Sequence, residues 1–385
     1  MRAGRQFLQI PGPTNVPGAV LAATAVPTID HRGPAFAELV RDLLPPLRDV
    51  FRSSGPVAIY PASGTGAWEA ALVNTLSPGD SVLAFDHGHF ATLWQQLARR
   101  LGLQVDVVAG SWRRGIDPAA LQARLQADRR QRIRAVLAVH NETSTGVTSR
   151  IAEIRAAIDA AGHPALLLVD AISSLGSIDY RHDEWRVDVS VAASQKGLML
   201  PPGLSFNAVS EKALAASETA GLPRSYWDWR PLLAAGDGGG FPYTPATNLL
   251  LGLREALARL HGEGLEQVFA RHDRHAAATR AAVRAWGLET VCEDEREHSS
   301  ALTAVLLPVG HDEAALRRLM LERFDLALGA GLGRLAGRVF RIGHLGDLND
   351  LTLAGTLCGV ELGLRLGGVP VAGSGVEAAL ERLGG

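Results

Sequence analysis

A lysine, Lys196, stands in VAASQKGLMLPPG (191–203), at the end of an apolar run of β type and just before Pro201, Pro202 and Gly203. Burial there disfavours the charged form of an ammonium. Two readings are open: the stem covers apolar neighbours while the head reaches water, or the amine is used chemically. Other polar residues close neighbouring apolar runs. ALLLV ends in Asp170, a lone carboxylate that either caps a turn or faces a cation. IRAVLAVH is followed by Asn141, Glu142 and Thr143, and VDVSVAA by Ser194, Gln195 and Lys196. VAIYPA leads into Ser63-Gly64-Thr65-Gly66, which opens a helix. Small residues and free N–H groups at a helix start suit a phosphate; they equally make an ordinary N-cap with a tight turn. The triplet is a poor match to the dinucleotide fingerprint, which needs G-x-G-x-x-G and an acid downstream.

The elements that must position these residues alternate in period. Short apolar runs at 57–62, 81–85, 104–109, 133–140, 165–172 and 187–194 are separated by helical stretches, among them 63–76, 90–102, 118–130 and 151–162. That alternation predicts an α/β fold with a largely parallel sheet covered by helices. Ligands of such sheets bind at the carboxyl ends of the strands, so an amine, an acid and a phosphate cradle are expected along one edge. Pyridoxal 5′-phosphate uses all three: a lysine that condenses with its aldehyde, a carboxylate facing the pyridinium nitrogen, and a phosphate site. Phe90, following SVLAFDHGH, is placed either to cover the face of such a ring or to pack in the core.

Composition bounds the rest. The chain has 385 residues, 47% hydrophobic and 20% charged, which fits two domains or one large α/β unit. A net charge of −2 gives no basic excess for nucleic acid and no acidic tail. Two cysteines, Cys292 and Cys358, are too few for a metal cluster or a disulfide framework and fit a reducing compartment. The N-terminus carries no signal-like apolar core, no run approaches the roughly 18 apolar residues of a membrane span, and the ending ERLGG is not a peroxisomal tripeptide. A cytoplasmic protein without metal or membrane contact is expected. Residues 248–286 read as helical. Beyond about residue 265 come ALTAVLLP, a helical DEAALRRLMLERF, a glycine-rich ALGAGLGRLAG, VFRIGHLG and a last helical region, the pattern of a smaller α+β domain against which the N-terminal arm packs. GAGLGRLAG (329–337) follows a helical segment rather than opening one, and is read as a flexible loop. His140, His163, His261, His272 and His275 are scattered and read as structural or solvated. Trp227 and Trp229 fit either a site edge or a dimer interface.

Seven stretches in order carry a resemblance: PGPTNVP, ASGTGAWEAALVNTLSPGD, VHNETSTGV, HPALLLVDAISSLGS, SQKGLMLPPG, FPYTP and FRIGHLGDLN. The sequence resembles the class V, fold-type I pyridoxal-phosphate aminotransferases of the alanine–glyoxylate and serine–glyoxylate family. The resemblance implies an N-terminal arm (1–20), a large domain (21–264) with a mostly parallel seven-stranded sheet, and a small α+β domain (265–385). It also implies a homodimer with active sites at the interface. Lys196 would carry the cofactor and Asp170 would pair with the ring nitrogen. Ser63, Gly64, Thr65 and Gln195 would cradle the phosphate, Thr143 would contact the ring oxygen region, and Phe90 would stack on the ring. Thr244, with Tyr243 or Phe241 beside it, matches the position that reaches the phosphate of the partner subunit. Arg341 would hold the substrate carboxylate by two parallel hydrogen bonds, and the Pro13-Thr14-Asn15 segment would line the pocket.

The expected reaction is transfer of an amino group from a small L-amino acid, serine or alanine, to glyoxylate. Asp30-His31-Arg32 departs from the small residues of alanine-preferring relatives and is closer to the serine type. His31 or Arg32 is also able to bind a side-chain carboxylate, which keeps aspartate or hydroxyaspartate open as donors. Two further rivals are open. One is a lyase or desulfurase on the same fold, for which Cys292 and Cys358 are unsuited as a mobile nucleophile. The other is a non-catalytic binding protein that kept the fold, whose signature would be a lost lysine or aspartate, whereas Lys196 and Asp170 are both present.

Overall fold

The runs VAIY, LLLVD and VSVAA become strands Val57–Tyr60, Leu166–Asp170 and Val189–Ala193, buried along their whole length. Strands buried on both faces read as continuous apolar runs because helices cover each side. The computed structural model describes residues 4 and 6–384; residues 1–3 and 5 of the expected arm, and Gly385, lie outside it. These strands belong to a seven-stranded sheet. Its order is Val57–Tyr60, Ser205–Val209, Val189–Ala193, Leu166–Asp170, Ile133–Val139, Ser81–Phe85 and Gln104–Val108. Six strands run in one direction, and Ser205–Val209 is antiparallel to both its neighbours. The turn at Pro201-Pro202-Gly203 returns the chain beside the strand it has just left, pairing Ser205 with Ala193.

Helix Gly64–Thr75 lies on this sheet with Ala67, Ala70 and Ala71 fully buried, small side chains that bring its backbone close to the strands. The opposite face is covered by Pro34–Phe51, Ile151–Ala160 and Thr247–Glu263. Leu39, Leu43 and Leu47 recur every fourth residue and so share one helical face in that core. Truncating any of them to Ala costs about 2–5 kcal/mol.

A second sheet has the order Phe7–Gln9, Leu326–Ala330, Val339–Gly343, Leu302–Leu306 and Glu289–Thr290. Its first pair is parallel and the others antiparallel. The N-terminal segment therefore does pack with the C-terminal region. One expectation is overturned here: the first part of the glycine-rich stretch is strand Leu326–Ala330, not flexible loop. Its glycines serve close approach. A Cβ on Gly329 would lie 2.7 Å from Pro11 Cδ and 3.2 Å from Arg341 Cβ, and one on Gly331 would lie 2.1 Å from the Leu335 carbonyl. Among the described residues no helix is long and apolar enough to cross a membrane.

Candidate active site

The loop after strand Val189–Ala193 is closed by Ser194, whose hydroxyl accepts from Leu204 N–H at 3.1 Å and donates to the Pro201 carbonyl at 2.8 Å. The N-terminal segment is stitched onto this loop. Thr14 N–H donates to the Gln195 carbonyl at 3.1 Å, and its hydroxyl to the Lys196 carbonyl at 3.1 Å. Lys196 Nζ in turn donates to the Pro11 carbonyl at 2.6 Å. Gly12, at φ +94°, lets the two segments touch: a Cβ there would lie 2.4 Å from Lys196 Cδ. Burial pushes the Lys196 amine down to about 8, helped by the Arg341 charge and opposed by Asp170. Of the chain's 38 basic residues only two are lysines, Lys196 and Lys212.

Asp170 closes the neighbouring strand. Its Oδ1 accepts from Ile172 N–H at 2.7 Å and its Oδ2 from the indole Nε1 of Trp68 at 3.0 Å. Trp68 is fixed by stacking on Trp94, with ring centroids 5.7 Å apart and planes 13° from parallel. Burial pushes the carboxyl up to about 7; Ile172 N–H opposes this, Glu142 adds to it, and Trp68 and Lys196 oppose it. A cation seated against this carboxylate would restore its charge.

Helix Gly64–Thr75 starts beside both groups. A Cβ on Gly64 would lie 2.3 Å from Ile172 Cδ1 and 3.5 Å from Ala193 Cβ, so the helix start rests on residues two positions after Asp170 and three before Lys196. Ser63 is the extended N-cap residue, its hydroxyl unused in capping, and Ser63 and Thr65 are exposed. The first N–H groups of a helix have no intrahelical partner. Gln195 Oε1 is buried with no partner among the described residues. Small hydroxyl donors and the positive end of a helix dipole thus meet at the start of Gly64–Thr75, a combination suited to an anion.

Thr143 donates to Ser173 Oγ at 2.9 Å, and its carbonyl accepts from Arg341 Nη1 at 2.7 Å. Arg341 Nε donates to the Ala330 carbonyl at 2.7 Å. These bonds fix the guanidinium and leave its Nη1–Nη2 edge able to take a carboxylate. Phe90 lies in the first turn of helix His89–Arg100, held by Glu142. Asn15 donates to the Leu8 carbonyl at 3.2 Å, a bond within the N-terminal segment.

Three candidate residues are not joined to this group by contacts within the chain. Tyr243 stacks on Tyr226, 4.2 Å between centroids, and Thr244 is exposed with no side-chain hydrogen bond among the described residues. His31 is half-buried with Nε2 unpartnered among them. Trp229 is a core residue donating to the Tyr60 hydroxyl at 2.6 Å, and Trp227 donates to Glu69 at 3.2 Å. The five histidines read as structural or solvated are all hydrogen-bonded. No local sequence pattern assigns a role to Trp68 or Glu142. Trp68 had a usable signal, because it follows Gly64 by four residues and so shares its helical face.

A half-buried lysine, a buried acid and a helix start suited to an anion make a donor set that fits pyridoxal phosphate. The Aminotransferase class-V family model matches residues 52–333. The chain is 50% identical to a serine–glyoxylate aminotransferase of Methylorubrum extorquens, over 98% of this chain and 96% of the relative. It is 46% identical to an L-aspartate–glyoxylate aminotransferase of Paracoccus denitrificans, over 97% and 94%. Among solved structures, pyridoxamine–pyruvate aminotransferase from Mesorhizobium loti superposes with a TM-score of 0.93 at 29% identity, covering 100% of this chain and 98% of that one. These structural neighbours are fold-type I aminotransferases. The chain belongs to the class-V aminotransferase family.

Proposed function

We propose that this aminotransferase uses pyridoxal phosphate to move the amino group of serine to glyoxylate, giving glycine and the 2-oxo acid of serine. The observation that carries the reading is the coupling of Lys196, one of only two lysines, to Asp170 beside the helix start at Gly64. Bound pyridoxal phosphate supplies an aldehyde that exchanges amines and a ring that accepts an electron pair from the substrate α-carbon. Ser63, Gly64, Thr65 and Gln195 hold the phosphate, and Asp170 balances a positive ring nitrogen. Thr143 contacts the ring oxygen region, and Phe90 covers one ring face and keeps water from it. Arg341 orients the amino acid by its α-carboxylate, with Asn15 and its neighbours closing the pocket. Lys196 Nζ, its proton affinity lowered by burial so that about a tenth of it is neutral at pH 7, takes the α-proton as general base and returns it.

Serine is favoured because, among the described residues, the buried Arg341 is the guanidinium whose charge acts on Lys196, and Arg32 is exposed. Steady-state rates with serine, alanine and aspartate against glyoxylate test this: the largest kcat/KM is expected for serine. A second reading, aspartate or hydroxyaspartate as donor, draws on His31 Nε2, unpartnered among the described residues, and on the relative named L-aspartate–glyoxylate aminotransferase. It predicts that aspartate is preferred and that His31→Ala removes aspartate activity while sparing serine. A cysteine-dependent lyase is disfavoured: Cys292 is buried, its thiol bonded to the Asp294 carbonyl at 3.4 Å, and Cys358 lies on helix Asp350–Leu366.

The working unit in this reading is a homodimer. Thr244 and Tyr243 are free to serve the partner's phosphate site, and Leu21, Val26 and Tyr226 expose apolar surface that a subunit can cover. Sedimentation at micromolar concentration is expected to give a dimer. The two unpaired cysteines support a cytoplasmic location.

A further inference from the structure

Helix His89–Arg100 has no cap of its own, because the residue before it is Gly88. Its first-turn N–H groups are capped from a distant segment. His89 N–H donates to Ser144 Oγ at 3.0 Å, Phe90 N–H to Glu142 Oε1 at 3.3 Å, and Ala91 N–H to Glu142 Oε2 at 3.0 Å. Ser144 donates to the same carboxylate from its N–H at 3.0 Å and its hydroxyl at 2.6 Å. Glu142 is fully buried, and the absent side chain of Gly88 makes room for it: a Cβ there would lie 2.1 Å from Glu142 Cγ. The next residue is Thr143, whose carbonyl holds Arg341. One carboxylate therefore joins the turn that carries Phe90 to the turn that fixes the substrate guanidinium.

We propose that Glu142 is a positioning residue that sets Phe90 over the cofactor ring and Thr143 against Arg341, so that cofactor grip and substrate grip depend on the same buried carboxylate. This rests on the pyridoxal-phosphate reading of the site. A carboxylate accepting several N–H and O–H bonds anchors both segments more firmly than neutral groups do. Its replacement by an amide turns one acceptor into a donor that faces donors, at unchanged shape.

The test uses pyridoxal phosphate alone as the probe, followed by serine. Dissociation constants from visible absorbance, the induced circular dichroism of the bound cofactor, and the serine KM are measured for wild type, Glu142→Gln, Phe90→Ala and the double variant. Glu142→Gln is expected to weaken cofactor binding about 10-fold, to alter the induced dichroism, and to raise KM. In the Phe90→Ala background its effect on cofactor binding shrinks to less than about twofold, while its effect on KM persists through Thr143 and Arg341. Gly88→Ala, which crowds the carboxylate, reproduces the pattern by a different route. Cofactor binding and KM unchanged in both Glu142→Gln and Gly88→Ala, with only the melting temperature lowered, would overturn the proposal. An equal loss of cofactor affinity with and without Phe90 would overturn it too, while leaving the site reading intact. If Phe90→Ala itself binds pyridoxal phosphate as the wild type does, the underlying site reading fails and the inference with it.

Discussion

Lys196 Nζ donates to the Pro11 carbonyl at 2.6 Å, and this is the amine's one hydrogen bond among the described residues. The group read as reactive is thus held by a neutral acceptor on the N-terminal segment, not locked to a carboxylate. Burial, with Arg341 nearby, pushes it down to about 8. At pH 7 about a tenth of it is then neutral, against roughly one part in three thousand for an ordinary lysine.

The pH dependence follows with a definite sign. Covalent capture of added pyridoxal phosphate, read from visible absorbance, should speed up as pH rises towards about 8 and level off above it. Arg341→Gln removes a nearby positive charge, so the amine titrates higher and capture at pH 7 slows. Asp170→Asn removes an opposing negative charge and moves the profile downward. A rate still climbing beyond about pH 10, as for an exposed amine, contradicts the buried-lysine account.

Trp68→Phe keeps the ring in its stack on Trp94 but removes the indole donor to Asp170. A hydrogen bond to a charged group contributes about 1.5–3 kcal/mol. Pyridoxal phosphate affinity should fall roughly 10- to 100-fold, with the thermal transition of the cofactor-free protein moved much less. Unchanged affinity means that Asp170 does not face the ring.

Arg341→Lys keeps a positive charge but loses the planar fork and the bonds to Ala330 and Thr143. The serine KM is expected to rise by roughly 100-fold with the cofactor spectrum little altered. Unaltered substrate kinetics would remove Arg341 from the substrate site.

Gly64→Ala drives a methyl group into Ile172 Cδ1. Overpacking of this kind costs about 1–3 kcal/mol, and Ile172→Val, which deletes that atom, should return part of it. Thermal unfolding of the two variants in cofactor-free form measures both effects. A single variant as stable as the wild type would contradict the tight approach of this helix to the sheet.

The sheet was readable because strands such as Leu166–Asp170 are apolar along their length and alternate with helical spacing. The polar residues that end them lie where an open parallel sheet must place its ligand site. Strand Ser205–Val209 and strand Leu326–Ala330 were not read as strands. The first follows a proline-rich turn that gives no direction. The second contains Gly329, whose value lies in contact with Pro11 and Arg341, residues distant in sequence. The same limit hid Trp68 and Glu142: their roles come from partners 102 and 51–52 positions away, which no local pattern displays. Tyr243 and Thr244 rest on the resemblance, and among the described residues no hydrogen bond joins their side chains to Lys196.

The central claim is that the amine at 196 is the group that bonds to pyridoxal phosphate, and the scarcity of lysine makes it sharply testable. Borohydride reduction of the protein loaded with pyridoxal phosphate, followed by proteolysis and mass spectrometry, offers two lysines for labelling, Lys196 and Lys212. The account predicts stoichiometric label on the peptide containing Lys196 and none on Lys212, with Lys196→Ala unlabelled. Label on Lys212 alone, or equal labelling of the wild type and Lys196→Ala, would contradict it.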